Sequence, residues 1–367
     1  MENNSCEILE VYRFVKIALF DFCDTMVNFQ TADVFVEYAL KKLNKNWIYD
    51  RLVASTVIEN YLNKHWKIKK KLLLYCLKGV RKDELQELAE NYCMKILEPA
   101  TYSYMLDEVK KLKNDGYHIL FVSGGYDIYL QCFANMHCVD GVIATKLLFK
   151  NDVFSGRIDG TDCMGENKIV HLCDYLKRHN IKVDYSVAYS DSISDECMLK
   201  WADRAIVISK REHEKWVTEK KFDEIIISKI EEKRIISNLI GAIMNTGEKV
   251  YIYGAGRFGS GHVYRFVTNI CNKKVEKYID AGKAGTTVNN VSVVGMREIE
   301  QLDKARLIVV ALKNGAEEVV ARLRGEGFFN LVVINNEETE LLNQIANYIK
   351  DNGSLKVKKF FRKIENL

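Results

Sequence analysis

Three short apolar, β-prone runs, residues 15–20, 118–122 and 185–189, each end in a small polar cluster that carries a group able to do chemistry. The clusters are Asp21-Phe22-Cys23-Asp24-Thr25, Ser123-Gly124-Gly125 and Ser190-Asp191-Ser192-Ile193-Ser194-Asp195. A fourth group, Lys168, opens a helical pattern just before the third run. Phosphoryl transfer uses such a set. A carboxylate can attack phosphorus and carry the phosphoryl group as an acyl phosphate, which divides one hard displacement into two easier ones. A carboxylate facing a dianionic phosphate is repelled unless a divalent cation neutralises both, and the hard oxygens of Asp21 and Asp191 suit Mg2+. Ser123 can then donate a hydrogen bond, Lys168 a positive charge, and the chain at Gly124 and Gly125 its N–H groups to the phosphate oxygens.

These residues serve one reaction only if the fold gathers them at one edge. The runs read as buried strands, and the segments between them carry apolar residues at helical spacing, as in Leu85, Leu88, Ala89, Tyr92 and Cys93. Strands alternating with helices imply a parallel sheet whose active loops lie beyond the carboxyl ends of the strands. A further strand is expected at 204–208. Residues 26–100 read as a mostly helical insertion after the first strand. Taken singly, each group has a plain structural reading: an aspartate after a strand caps a turn, Ser-Gly-Gly makes a tight turn, a helix lysine is solvated, and Cys23 is a small buried thiol. The conjunction carries the functional one.

The clusters at 21–25, 122–125 and 189–195, together with Gly165-Glu166-Asn167-Lys168, resemble the four motifs of the haloacid dehalogenase-like phosphatase superfamily over about residues 14–210. The segment Phe154-Ser155-Gly156-Arg157-Ile158-Asp159-Gly160 and the helical insertion, as a cap, are similar to its phosphoserine-phosphatase-like branch. The resemblance implies that Asp21 is the nucleophile, that Mg2+ is held by Asp21, Asp191 and the backbone carbonyl of Cys23, and that Asp195 supports the metal shell. The family usually has a second aspartate, an acid and then a base, two residues after the nucleophile. Here Cys23 stands there, with Asp24 next. Either Asp24 reaches the leaving group on a different loop path, or the leaving group needs little protonation and hydrolysis is slow.

From Lys249 a second alternation of strands and helices begins, and Gly254-Ala255-Gly256-Arg257-Phe258-Gly259 lies between a strand and a helical pattern, with Asp280 at the end of the next strand. In that context glycines let a backbone approach a pyrophosphate, and the acid takes ribose hydroxyls. The competing reading is a turn built for packing alone. The half-size domain looks like the small Rossmann-like modules of surface-polysaccharide assembly, which implies a nucleotide or nucleotide-sugar ligand.

At 367 residues the chain suits two or three domains at about 150 residues each. The balance of 54 basic and 50 acidic residues, a net charge of +4, gives no expectation of a nucleic-acid partner. The start is acidic where a secretory signal is basic and then apolar, no apolar stretch suggests a membrane span, and the ten cysteines show no C-x-x-C pair, so a cytoplasmic protein with reduced thiols is expected.

The expected architecture is α/β: a Rossmannoid parallel sheet with a helical cap inserted after the first strand, plus a second, smaller Rossmann-like α/β domain. The divisions are 1–209 with the cap at about 26–100, a helical connector at 210–247, the second domain at 248–340, and a helical, basic tail at 341–367. The expected activity is Mg2+-dependent hydrolysis of a phosphomonoester, such as a sugar phosphate or nucleotide-sugar-linked phosphate. The alternative is a catalytically impaired relative that serves as a binding or assembly module.

Overall fold

The computed structural model describes residues 13–45, 47, 65–312, 314–334, 338, 339, 341 and 342. The basic tail and the middle of the cap, 48–64, lie outside the described residues. Two compact units divide the chain, Met1–Ser228 and Lys229–Leu367.

In the first unit β1 (Arg13–Phe20) is the central strand, buried from Ile17 onward on both faces, as its run of apolar residues requires. It pairs in parallel with β2 (His118–Tyr126) on one side and β5 (Ile181–Ser190) on the other, with Phe20 opposite both Phe121 and Tyr189. With β3 (Gly141–Lys150), β4 (Val153–Asp159), β6 (Arg204–Ser209) and β7 (Asp223–Ile226), the sheet runs β4-β3-β2-β1-β5-β6-β7. Only β4 is antiparallel to its neighbour.

Successive side chains of β1 point to opposite faces. Ala18 and Phe20 join a core beneath the cap, whereas Ile17 and Leu19 pack with Leu172, Leu176 and Met198 of the helices α6 (Asn167–Arg178) and α7 (Glu196–Trp201). The cap is helical where described, with α1 (Thr31–Lys42), α2 (Trp66–Cys76) and α3 (Lys82–Tyr92). Two more helices, α4 (Ser103–Asn114) and α5 (Asp127–Met136), flank β2 in the chain. An aromatic cluster ties cap to sheet: Phe35 of α1 meets Tyr92 of α3 and Tyr129 of α5 at ring separations of 5.3 and 5.1 Å. Phe22, in the loop after β1, stands edge-on to Phe121 and Phe133 at 5.3 and 5.0 Å. Each such pair adds about 0.5–1.5 kcal/mol beyond area burial, so the loop carrying Asp21 is anchored from below.

Several elements differ from the sequence reading. Ser123-Gly124-Gly125 is not a loop past the strand: β2 continues to Tyr126, and Gly124 and Gly125 bulge out where the pairing steps from Ser123–Ala144 to Tyr126–Thr145. The β3–β4 hairpin, not foreseen as strands, turns on Asn151 and Asp152, both left-handed at φ 50° and 59°. Residues 210–247 are not a purely helical connector. They include α8 (Lys215–Lys220), then β7, which extends the first sheet, then α9 (Ile227–Met244), whose Ile236, Leu239 and Ile243 are buried in the core of the second unit. The strand was hidden because Asp223-Glu224 places charges at the head of a short edge strand.

The second unit is α/β as expected. Its strands β8 (Lys249–Tyr253), β9 (Lys274–Ile279), β10 (Thr287–Val288), β11 (Val291–Val294), β12 (Ile308–Val310) and β13 (Leu331–Val333) form a sheet of order β10-β11-β9-β8-β12-β13. All neighbours are parallel except β10 and β11, a hairpin again turning on two left-handed residues, Asn289 and Asn290. The helical stretch after β8 is unusual in containing two π-helical segments, Phe258–Val263 and Phe266–Ile270, and α10 (Ala316–Gly325) follows β12.

Candidate active site

The in-register ends of β1, β2 and β5 bring Asp21, Ser123 and Asp191 to one edge of the sheet. Lys168, near the start of α6, reaches that edge with its ammonium buried, at 2.6 Å from Asp21 Oδ1 and 2.6 Å from Asp195 Oδ2. The other oxygen of Asp21 lies toward Thr25, which it shares with Asp191. Thr25 Oγ1 lies 3.4 Å from Asp21 Oδ2 and 3.1 Å from Asp191 Oδ1, and accepts the Asp191 N–H at 2.9 Å. One hydroxyl therefore draws the two carboxylates toward a common point. Asp195 does not stand with them through its Oδ2, which takes Lys168 and, at 2.7 Å, the hydroxyl of Ser190. Its place is behind the lysine, which it helps to orient.

The electrostatics follow from this crowding. Burial pushes the Asp21 carboxyl up to about 6 against the pull of Lys168. Burial, then repulsion from Asp21 and Asp24, pushes Asp191 up to about 7. Burial works against the charge of Lys168, but Asp21 and Asp195 more than offset it and hold the ammonium above its usual range.

Two adjacent carboxylates that resist ionisation together are suited to a cation. Among the described residues no three His, Cys, Asp or Glu side chains gather closely enough to hold a metal by themselves. Mg2+ does not require that many: one or two carboxylates with water and substrate phosphate suffice. The donor set of Asp21, Asp191 and a backbone carbonyl is hard oxygen, so these residues fit the expected ion.

A raised carboxyl pKa means that the folded protein binds the proton more tightly than the unfolded chain. That contribution to stability is full below 3.8 and is lost as pH rises to about 7. For metal-free protein, Asp191→Asn is thus expected to raise the melting temperature at pH 8 and to change it little at pH 4. The partial exposure of Asp191 limits the size of the gain. Equal gains at both pH values would contradict this assignment of the strain.

Ser123 is fully buried, and its Oγ accepts the Gly125 N–H at 3.1 Å, which leaves its own proton to donate. A Cβ on Gly124 would meet Met164 Cγ at 2.6 Å and one on Gly125 the Tyr129 hydroxyl at 2.5 Å, so both positions admit little beyond glycine. The carbonyl of Gly124 is held by Lys70 of α2 at 2.8 Å and by Thr145 at 3.1 Å, and both also bind Asp162.

Cys23 and Asp24 are both engaged. The Cys23 thiol shares a hydrogen bond with Thr31 Oγ1 at 3.1 Å, and burial, then Asp21, pushes it up to about 11. Asp24 adopts a left-handed conformation at φ 56°, which aspartate tolerates. One of its oxygens takes Lys210, which stands just past β6, and the other takes Gln30 Nε2 at 2.5 Å. For Asp24 to replace the acid, both must let go.

Sequence reasoning missed Thr25, Lys70, Lys210 and Asp162. Thr25 stood in the first cluster without a role, and Lys70 sits in the run Lys69-Lys70-Lys71, which reads as a solvated face.

In the second unit the glycine turn is closely packed. Gly254 has φ 100°, and a Cβ on Gly259 would lie 1.9 Å from the Gly254 carbonyl oxygen. Asp280, expected at a ribose, gives one oxygen to the Ala255 N–H at 2.8 Å and the other to the Gly282 N–H at 2.9 Å, while Lys283 binds the Ala255 carbonyl at 2.8 Å. Gly256 has open space around it.

Comparison with known proteins matches the first unit. The haloacid dehalogenase-like hydrolase family matches residues 18–200. The phosphoserine phosphatase of Methanocaldococcus jannaschii is 28% identical over 194 residues, which cover 51% of this chain and 82% of that one. Among solved structures, a Bordetella pertussis Tohama I protein of unknown function aligns at 18% identity and TM-score 0.49, covering 59% of this chain and all of its own. A phosphoserine phosphohydrolase-like protein from Francisella tularensis aligns at 16% identity and TM-score 0.41, covering 60% and 99%. No helix among the described residues is long and apolar enough to cross a membrane. Residues 18–200 are a haloacid dehalogenase-like hydrolase domain, and its family and its relative support a phosphatase.

Proposed function

We propose that the first unit hydrolyses a small phosphomonoester through an aspartyl phosphate on Asp21, with Mg2+ held by Asp21, Asp191 and the backbone carbonyl of Cys23. The observation that carries this reading is the convergence of Asp21 and Asp191 on Thr25, with Lys168 clamped from behind. Bound there, the cation would neutralise the phosphate against the carboxylates. Asp21 attacks phosphorus as the bond to the alcohol oxygen breaks, and water later attacks the acyl phosphate to release inorganic phosphate and restore Asp21. Lys168, the Ser123 hydroxyl and the Gly124 N–H would meet the charge that develops on the phosphoryl oxygens, while the Gly125 N–H holds Ser123 Oγ in place. Asp195 acts by orienting Lys168.

Cys23 and Asp24 decide the proton transfers. A thiol bound to Thr31 and a carboxylate bound to Lys210 and Gln30 offer no free carboxyl group for the leaving oxygen. The reading that follows is slow turnover of poor leaving groups. A general acid contributes about 10²–10⁴-fold, so Cys23→Asp is expected to speed release from an alkyl phosphate by about tenfold or more and to do less for p-nitrophenyl phosphate. Equal effects on both would remove this account of Cys23. Asp24→Asn, in the same assay, is expected to change alkyl phosphate turnover by less than about tenfold.

A silent phosphate-binding module is the second reading, favoured by that same cysteine. Phosphate release from p-nitrophenyl phosphate in Mg2+ and in excess EDTA separates the two: activity that EDTA abolishes supports the phosphatase, and none in either supports the module. The sugar phosphates and nucleotide-linked phosphates expected from the sequence are candidate substrates, and the lining of the adjoining cavity bears on that choice.

A further inference from the structure

A cavity of about 930 Å³ opens beside the proposed phosphate site, between α2 of the cap and the strand β4. Its inner end is lined by Asn167 and Ser194, the chain neighbours of Lys168 and Asp195, and by Met164, which packs on Gly124. An alcohol esterified to a phosphate at that site can extend into this space. The volume lies near the upper end of the roughly 300–1,000 Å³ that enclose a drug-sized ligand.

The lining is unusual for a polar metabolite. α2 has two apolar faces. Leu73, Leu74 and Leu77, the last just past its end, are buried in the core of the unit, whereas Ile68, Leu72 and Tyr75, spaced four and three residues apart and so on one stripe, remain 43%, 37% and 58% exposed. All three of these exposed side chains line the cavity, and Ile158 of β4 and Met164 line it too. A contiguous exposed apolar stripe beside polar chemistry marks a binding groove.

The charges are equally selective. Of the described lining residues, Lys70, Lys71 and Arg157 are cationic and Asp162 alone is anionic. Asp162 is already spent, with both oxygens 3.0 Å from Lys70 Nζ and one also taking Thr145 at 2.8 Å. No free carboxylate remains among them to receive a substrate ammonium group, and Lys71 and Arg157 repel one.

We infer that the natural substrate is a phosphomonoester whose alcohol carries a bulky apolar or aromatic body without a cationic group, and that the Ile68–Leu72–Tyr75 stripe holds that body. This rests on the phosphatase reading above and narrows it: an amino-acid phosphate would place an ammonium among cations, and a sugar phosphate would leave the stripe uncovered.

The test compares three alkyl phosphates of similar leaving ability, 2-(2-naphthyl)ethyl phosphate, O-phosphoserine and glucose 6-phosphate, on the full chain with Mg2+. The naphthyl compound is expected to show a kcat/KM at least about tenfold above the other two, since burying one large apolar side-chain equivalent supplies that factor. Leu72→Asn and Tyr75→Ala, at exposed positions, are expected to narrow the gap several-fold through KM. p-Nitrophenyl phosphate serves as the activity control. If it is hydrolysed and phosphoserine or glucose 6-phosphate equals the naphthyl compound, or the two variants leave the gap intact, the substrate inference is overturned. If even p-nitrophenyl phosphate is not hydrolysed, the phosphatase reading itself has failed.

Discussion

Asp21→Asn is expected to lower Mg2+-dependent phosphate release by at least about 10³-fold while the protein stays folded. The size follows from the role. An amide nitrogen or oxygen does not form the acyl phosphate, and the neighbouring carboxylates are engaged: Asp191 with Thr25 and, in this reading, the cation, Asp195 with Lys168 and Ser190, and Asp24 with Lys210 and Gln30. The fold survives because Lys168 keeps its partner Asp195 at 2.6 Å, and because removing one of several crowded carboxylates relieves repulsion on Asp191. The assay is phosphate release from p-nitrophenyl phosphate beside a melting curve. Activity within tenfold of the unaltered protein would place the chemistry elsewhere.

The second large effect is expected of Lys168→Met, this time on stability as well as activity. Lys168 Nζ lies 2.6 Å from both Asp21 and Asp195, and all three side chains are buried. Methionine fills similar volume but leaves two buried carboxylates without a counter-charge. Breaking a buried pair in this way costs about 3–5 kcal/mol. At roughly 2–4 °C per kcal/mol for a unit of this size, the metal-free protein at pH 8 should melt about 6–20 °C lower. The sign of the pH dependence is fixed. Without the ammonium the two carboxyls hold their protons to higher pH, so the deficit shrinks as pH falls from 8 toward 5 and the carboxyls become neutral. A melting temperature unchanged at pH 8, or a deficit that grows on acidification, would show that the lysine is not the counter-ion of this cluster.

Much of this site is legible in the residues because strand ends are legible. Apolar runs closed by Asp21, Ser123 and Asp191 predict parallel strands with a shared polar edge, and the register of β1 with β2 and β5 delivers that edge. What the pattern could not supply was contact across distance. Thr25 meets Asp191 across 166 positions of chain, and Lys210 meets Asp24 across 186. Lys70 is another case: only the packing of α2 turns it from a surface charge into a buried hydrogen-bond donor to Gly124.

The missed hairpins are different, since their signal was present. Asn151-Asp152 and Asn289-Asn290 each sit between β-prone residues, and such pairs suit two-residue turns that need positive φ at both positions. The glycines at 254 and 259 are legible in a different way. Their spacing is that of a phosphate-binding turn, and the positive φ of Gly254 and the close approach of Gly259 to it are what both such a turn and a packed strand-to-helix turn require.

The central claim is that Asp21 itself becomes phosphorylated in each turnover. The most direct measurement is to mix the protein with Mg2+ and substrate labelled in its phosphoryl group, quench in acid within the first turnover, digest, and locate the label by mass spectrometry. The account predicts an acid-stable, hydroxylamine-sensitive label on the peptide that contains Asp21, absent in Asp21→Asn. Phosphate release with no label on that peptide, or with the label on another residue, would contradict it.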